Sequence, residues 1–402
     1  MRLRDQITNC LYQSPGYIDE IRRLTGLWLI CCMPLQCMVL FRVGICGPYH
    51  VPAWRIGNTF LSLPDPPLWF SSALLLLEFF LYIALIAGVR KKFIPAVLLI
   101  IFAYYQFIDI FFHCGFVILL AFYLIAFLID RFPFSLSRRV IQISVSSCYL
   151  FAAVGKVHPE YFDGFTLYHM LGKGFVIRPQ IRDLILSLHI SHDMATFLSI
   201  FVIVLEVFLG LGLWFKSTRL FTAIVGVLFH CALTLSLPGI EPFAPVMCTA
   251  YLAFFEKRGD STCRNLSFKK PVSDMLLLFF VCFASIAMPT RFYMMPREQL
   301  LSLSYFDRAP LGLAMYLFNE EVKSVQVSYQ TSDAQWHQID VQGRMAVCSS
   351  TSDMLSLAYY LQKMHPEADT IKIITRLQVN GHKMVLRQLS YVPAQSSFKF
   401  SS

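Results

Sequence analysis

Long apolar runs set apart by short basic turns constrain this chain more than any other feature. Residues 26–43, 69–88, 93–111, 112–129, 140–153, 196–215, 220–237, 243–255 and 274–288 each read as a candidate span. Only 15% of the chain is charged, whereas soluble domains carry about 25%. With 56% hydrophobic residues and 37 Phe, the chain exceeds what a water-facing fold can bury. The expected fold is an all-α polytopic membrane helical bundle of about eight or nine transmembrane helices, with a small C-terminal α+β domain on the outer side.

The orientation follows from where Lys and Arg fall. Residues 1–25, 90–92, 131–139, 216–219 and 257–270 hold clusters of them and are placed inside. The segment around Lys156 and everything after residue 289 are then outside. The net charge of +9 is explained by these turns and is not read as a nucleic-acid footprint. Residues 1–25 read as an inner-side segment with no cleavable signal, 26–290 as the membrane domain, 291–318 as a linker and 319–402 as the extramembrane domain. In the last of these, residues 324–330, 335–341, 370–379 and 382–392 alternate as strands, and 352–363 has helical spacing. Asn380-Gly381 supplies a type I′ hairpin turn. This domain shows no clustered acid–base set, so its expected role is recognition of a peptide or protein.

Chemistry in such a chain rests on the ionisable residues inside spans, because each is costly without a partner. These are Glu78, Asp109, Glu206 and His230, with Arg42 near the end of the first span. One reading makes Glu78, Glu206 and Arg42 polar glue between helices. The other makes them line a cavity together with His230. Lys156 follows the fifth span in Val154-Gly155-Lys156-Val157-His158-Pro159-Glu160-Tyr161-Phe162-Asp163-Gly164. Two readings stand for it: a desolvated amine acting as a base, or a snorkelling anchor with no chemistry. His189-x-x-His192 has metal-ligand spacing but no evident third ligand, so no metal is expected. Most of the 12 Cys lie in apolar runs as small hydrophobes, and the pairing of Cys46 with Cys348 is left open.

The stretch from Ala153 to Gly164 resembles a lysine-bearing motif of the HTTM-domain family, which includes vitamin K-dependent gamma-glutamyl carboxylase and its bacterial relatives. Phe41-Arg42-Val43-Gly44 and Phe229-His230-Cys231 resemble two further elements in family order. The resemblance covers about residues 20–258. It implies that Lys156 is the base that deprotonates reduced vitamin K or another quinol, in a carboxylase- or epoxidase-type lyase, with His230 also catalytic. Arg42, Glu206 and Glu78 would then bind substrate. Two departures stand out. His158 replaces a family Asp, and Asp130-Arg131-Phe132-Pro133-Phe134 lacks the family's carboxylation histidine. The expectation is proton abstraction from a lipid-soluble molecule, with glutamate carboxylation in doubt. The rival is a non-enzymatic scaffold or transporter. A third reading makes the outer domain a binding module anchored by the helices. The host membrane would be a bacterial inner membrane or the endoplasmic reticulum.

Overall fold

The computed structural model describes residues 17–41, 54–56, 59–61, 66–89, 92–108, 115–129, 136–157, 159–172, 178–237, 243–256, 320–340, 351–379, 383–393 and 397–401. The chain is mostly helical, with a small antiparallel sheet near its end. The long helices are α1 (Ile18–Leu40), α2 (Leu68–Ala87), α3 (Phe93–Ile108), α4 (Gly115–Ile129) and α5 (Ser137–Gly155). Short helices α6 (Pro159–Phe162), α7 (Phe165–Leu167), a π-turn (Tyr168–Gly172) and α8 (Pro179–Ser187) follow. Then come α9 (His192–Gly212), α10 (Arg219–Ser236) and α11 (Phe243–Ala250), the last continued by a 3₁₀ turn over Tyr251–Phe254.

Among the described residues, α2, α9 and α10 are long and apolar enough to cross a membrane. Their outward faces carry Leu76, Phe80, Phe201, Val204, Ile224 and Leu228, all exposed. An apolar surface of that kind needs a non-aqueous neighbour. Inside the bundle, α5 packs along α9 and α4, and α1 packs along α2. Hydrogen bonds tie helices together across the apolar interior. The Trp28 indole donates to Thr249 Oγ1 at 3.0 Å, and the Trp214 indole donates to Ser146 Oγ at 2.7 Å. Such bonds are the usual glue where apolar packing alone gives no preference for one helix neighbour.

Two arginines that sequence counting assigns to inner-side turns are buried helix caps. Arg22 is 4% exposed, and its guanidinium donates to Leu85 O and Ile86 O at the end of α2, next to the left-handed turn at Gly88. Arg138, 3% exposed, donates from Nε to Ala253 O at 2.6 Å and from Nη2 to Phe254 O and Phe255 O at 3.3 and 3.0 Å. The last carbonyls of a helix lack intrahelical donors and sit at its negative end, so a cation satisfies both needs. Helix α1 accordingly begins at Ile18, inside the segment expected to be separate, and α5 begins at Ser137, so Arg138 lies in the helix.

The C-terminal unit has strands β3 (Glu320–Gln330), β4 (Trp336–Ile339), β5 (Thr370–Val379), β6 (Lys383–Val392) and β7 (Ser397–Ser401), in the order β4-β3-β5-β6-β7 and all antiparallel. Helix α12 (Thr351–Met364) packs on one face, where Met354, Leu357 and Leu361 meet Val327, Ile371, Ile373 and Leu389. The alternation that sequence reading used is the pleat itself: Ile371, Ile373, Thr375 and Leu377 are buried and Arg376 is exposed. Strand β7 lies beyond the expected strands, although Ser397-Phe398-Lys399-Phe400-Ser401 alternates as they do. A two-stranded ladder, β1 (Trp54–Ile56) with β2 (Thr59–Leu61), lies between the first two expected spans. Asn380-Gly381, Cys46, Cys348 and the ninth expected span fall outside the described residues.

Arg138→Leu removes the side-chain donor from Phe254 O and Phe255 O, while Ala253 O keeps the Gln142 amide at 2.8 Å. The expected outcome is a loss of about 2–4 kcal/mol of stability. Thermal unfolding of the detergent-solubilised protein reads it, and an unchanged midpoint would remove the capping role.

Candidate functional site

Helix α5 ends at Gly155 and is capped by Lys156, whose backbone N–H donates to Ala153 O at 3.0 Å, while Val157 N–H donates to Val154 O at 3.0 Å. The side chain does not reach outward. Lys156 is 5% exposed, and its Nζ turns back to donate to Ala152 O at 3.2 Å. Nζ also donates to both oxygens of Glu206, at 2.7 and 2.8 Å. The three ammonium protons therefore have three acceptors. Glu206 sits at mid-length on α9, 6% exposed, so the ion pair is buried from both sides and fastens α5 to α9. The snorkelling reading of Lys156 does not hold, because a snorkelling amine ends in solvent.

The chain after Lys156 forms a roof. Pro159 opens α6, and Gly164 turns the chain with φ +76°, a conformation that penalises a side chain. A Cβ there would also lie 2.6 Å from Thr196 Oγ1. The Thr196 hydroxyl donates to Asp163 O at 3.0 Å, so this turn is fixed to the first turn of α9. Ser191 caps that helix by accepting from Met194 N–H at 3.2 Å. Tyr161, Leu167 and Met170 then pack with Ile190, Ala195 and Leu237.

Beneath the roof is a cavity of about 220 Å³ lined by α5, α9, α10 and α11. Its wall is mostly apolar: Leu198 and Val202 from α9, Phe229 and Leu233 from α10, and Phe243 and Met247 from α11. The polar side chains that reach it include Lys156, Glu206, His230, Tyr149 and Thr166. Cavities of this make-up, apolar with a few convergent polar groups, are the usual form of a small-molecule site. No family model, curated protein or solved structure matches the chain. The site therefore stands on its own geometry.

Lys156, Glu206 and His230 converge on this cavity. Glu78 does not line it. Its carboxylate is fully buried elsewhere and accepts from the Tyr105 hydroxyl at 2.7 Å and the Tyr82 hydroxyl at 3.0 Å, while Gln36 donates to Tyr82 at 3.1 Å. Arg42, Asp109, His113 and His158 lie outside the described residues. His189 and His192 have separate surroundings. The His189 Nδ1 meets Ser187 O at 2.7 Å, and the His192 ring packs on Phe165 and Tyr168. Among the described residues, no group of three His, Cys, Asp or Glu side chains gathers to hold a metal.

Sequence reasoning missed the tyrosines. Tyr149 OH lies 2.6 Å from His230 Nε2 and also bonds the hydroxyl of Tyr251. A signal was present: Tyr149, Ala152 and Lys156 recur at helical spacing, so Tyr149 shares the lysine's face two turns earlier. Tyr251 belongs to the 3₁₀ turn, and no local spacing connects it to α5.

Removing one partner of the Lys156–Glu206 pair strands a buried charge. Lys156→Met and Glu206→Leu are each expected to cost about 3–5 kcal/mol, and the double variant to recover most of that loss. Thermal unfolding of the three variants checks it. Additive losses would show that the two side chains are not coupled.

Proposed function

We propose that this chain is a polytopic membrane enzyme with an HTTM-like core of about eight or nine spans, related to the vitamin K-dependent carboxylases. In this reading its cavity takes a lipid-soluble quinol or similar molecule, and the Lys156–Glu206 pair removes a proton from it. The supporting observation is the convergence of Lys156, Glu206 and His230 on one apolar cavity. The fit is one of size and chemistry. A cavity of about 220 Å³ with an apolar wall suits a small aromatic ring system, and the Glu206 carboxylate of the ion pair offers an acceptor to a hydroxyl at its edge.

Lys156 and Glu206 act together in this scheme. An ammonium with three protons has no lone pair, so Lys156 becomes a base only after releasing a proton. Glu206 Oε1, at 2.7 Å, is the acceptor already in place. His230 lies on the same wall as a second polar contact, and Leu198, Val202 and Phe243 hold the ring away from water. The step supported is proton abstraction. The missing counterpart of the family's carboxylation histidine argues against glutamate carboxylation. The outer C-terminal unit, with its sheet and one covering helix, is proposed as a docking surface for a peptide or protein.

One observation favours the rival reading of a scaffold or transporter: every proton of Lys156 already has an acceptor, as a structural ion pair requires. Supplying reduced menadione to the detergent-purified protein and following oxygen-dependent quinol consumption separates the two. Consumption is expected in wild type and should fall by about a hundredfold or more in Lys156→Ala. A folded wild type with no quinol-dependent turnover would sink the enzymatic reading.

A further inference from the structure

His230 is 1% exposed and one of its two ring nitrogens is accounted for. Nε2 meets the Tyr149 hydroxyl at 2.6 Å, while Nδ1 is buried with no hydrogen-bond partner. Tyr149 in turn bonds Tyr251, whose hydroxyl has no second partner among the described residues. This last fact sets the direction of the whole chain. Tyr251, 3% exposed, satisfies its hydroxyl proton only by donating to Tyr149. Tyr149 has then used its acceptor side toward Tyr251 and places its own proton on His230 Nε2. An imidazole whose Nε2 accepts carries its proton on Nδ1. The opposite direction would leave a buried hydroxyl proton and a buried Nδ1 lone pair both unmatched, so it costs more.

We propose that Tyr251 and Tyr149 fix His230 as a neutral donor, its Nδ1–H reserved for a carbonyl or oxyanion oxygen of the ligand in the cavity. The Phe229 and Phe243 rings, with centroids 5.6 and 5.8 Å from that of His230, hold the imidazole plane, so the donor is preoriented. Gly226 is what admits Tyr251. It lies one turn before His230 on α10, and a Cβ there would come within 2.7 Å of Tyr251 Cζ. Tyr149 and Tyr251 are thus positioning residues that act through His230. The proposal adds polarity to the cavity. The ion pair of Lys156 and Glu206 marks one polar position and a neutral donor marks the second, so the ligand class carries an acceptor oxygen as well as an ionisable group. It rests on the proposed function only in taking the cavity as a ligand site.

Heteronuclear NMR of the imidazole nitrogens in the full-length detergent-solubilised protein tests this, with the His230 signals assigned by their loss in His230→Asn. At neutral pH the expected result is a protonated Nδ1 and an unprotonated Nε2. An Nε2–H tautomer or a doubly protonated ring would overturn the proposal. In Tyr149→Phe an Nε2–H population should appear, and an unchanged tautomer would equally overturn it. The ligand half is read by binding of menadione against methylnaphthalene, the same bicycle without carbonyl oxygens. Tyr149→Phe should weaken menadione roughly tenfold, the equivalent of about one net hydrogen bond, and leave methylnaphthalene unchanged. Equal losses for both would mean that Tyr149 only shapes the wall, against the proposal. A wild type that binds neither compound refutes the donor's ligand role and the quinol reading above. The wild-type tautomer then decides the relay by itself.

Discussion

The ion pair between Lys156 and Glu206 sets the conditions for everything around it. A charge inside an apolar bundle is tolerated only beside its opposite and with its remaining bonds made. Meeting that condition brings the end of α5 against the middle of α9. With those two helices joined, the chain between them has to close over the gap, and the short helices and π-turn of residues 159–172 are that closure. The cavity is the space left between the roof, the ion pair and α10.

The same rule governs the other end of the helices. Arg22 and Arg138 sit on carbonyls at helix ends. They join distant parts of the chain: Arg22 links α1 to the end of α2, and Arg138 links α5 to the turn after α11. Glu78 obeys the rule with neutral partners, two tyrosine hydroxyls in place of a cation. Among the described residues, these buried charges meet the same requirement by three kinds of partner: an opposite charge, a helix end and a pair of phenols.

Much of this was legible in the sequence, and the failures share a cause. Glu206 and His230 stood out because polar residues are scarce in the apolar runs, and Lys156 because it follows such a run directly; neither signal needs knowledge of partners. The strands at 370–379 and 382–392 were legible because burial on one face writes a period of two, and the sheet has β5 at Thr370–Val379 and β6 at Lys383–Val392. The capping roles of Arg22 and Arg138 were not legible, because counting charges by position assigns only a side, whereas these roles depend on carbonyls more than sixty residues away. Tyr149 and Tyr251 stayed hidden for a similar reason. Tyrosine is unremarkable in such helices, and only the fold joins a hydroxyl on α5 to one after α11.

The turn at Asp163-Gly164 has a consequence for how anything could reach the cavity. Thr196 holds that turn to the start of α9, and Glu206 lies further along the same rigid rod, about 15 Å away at 1.5 Å per residue. Roof and carboxylate are therefore fixed to one lever. A tilt of α9 that lifts the roof also pulls Glu206 from Lys156, so admission of a guest and exposure of the charge would be a single motion, with the latch and the lock on the same door.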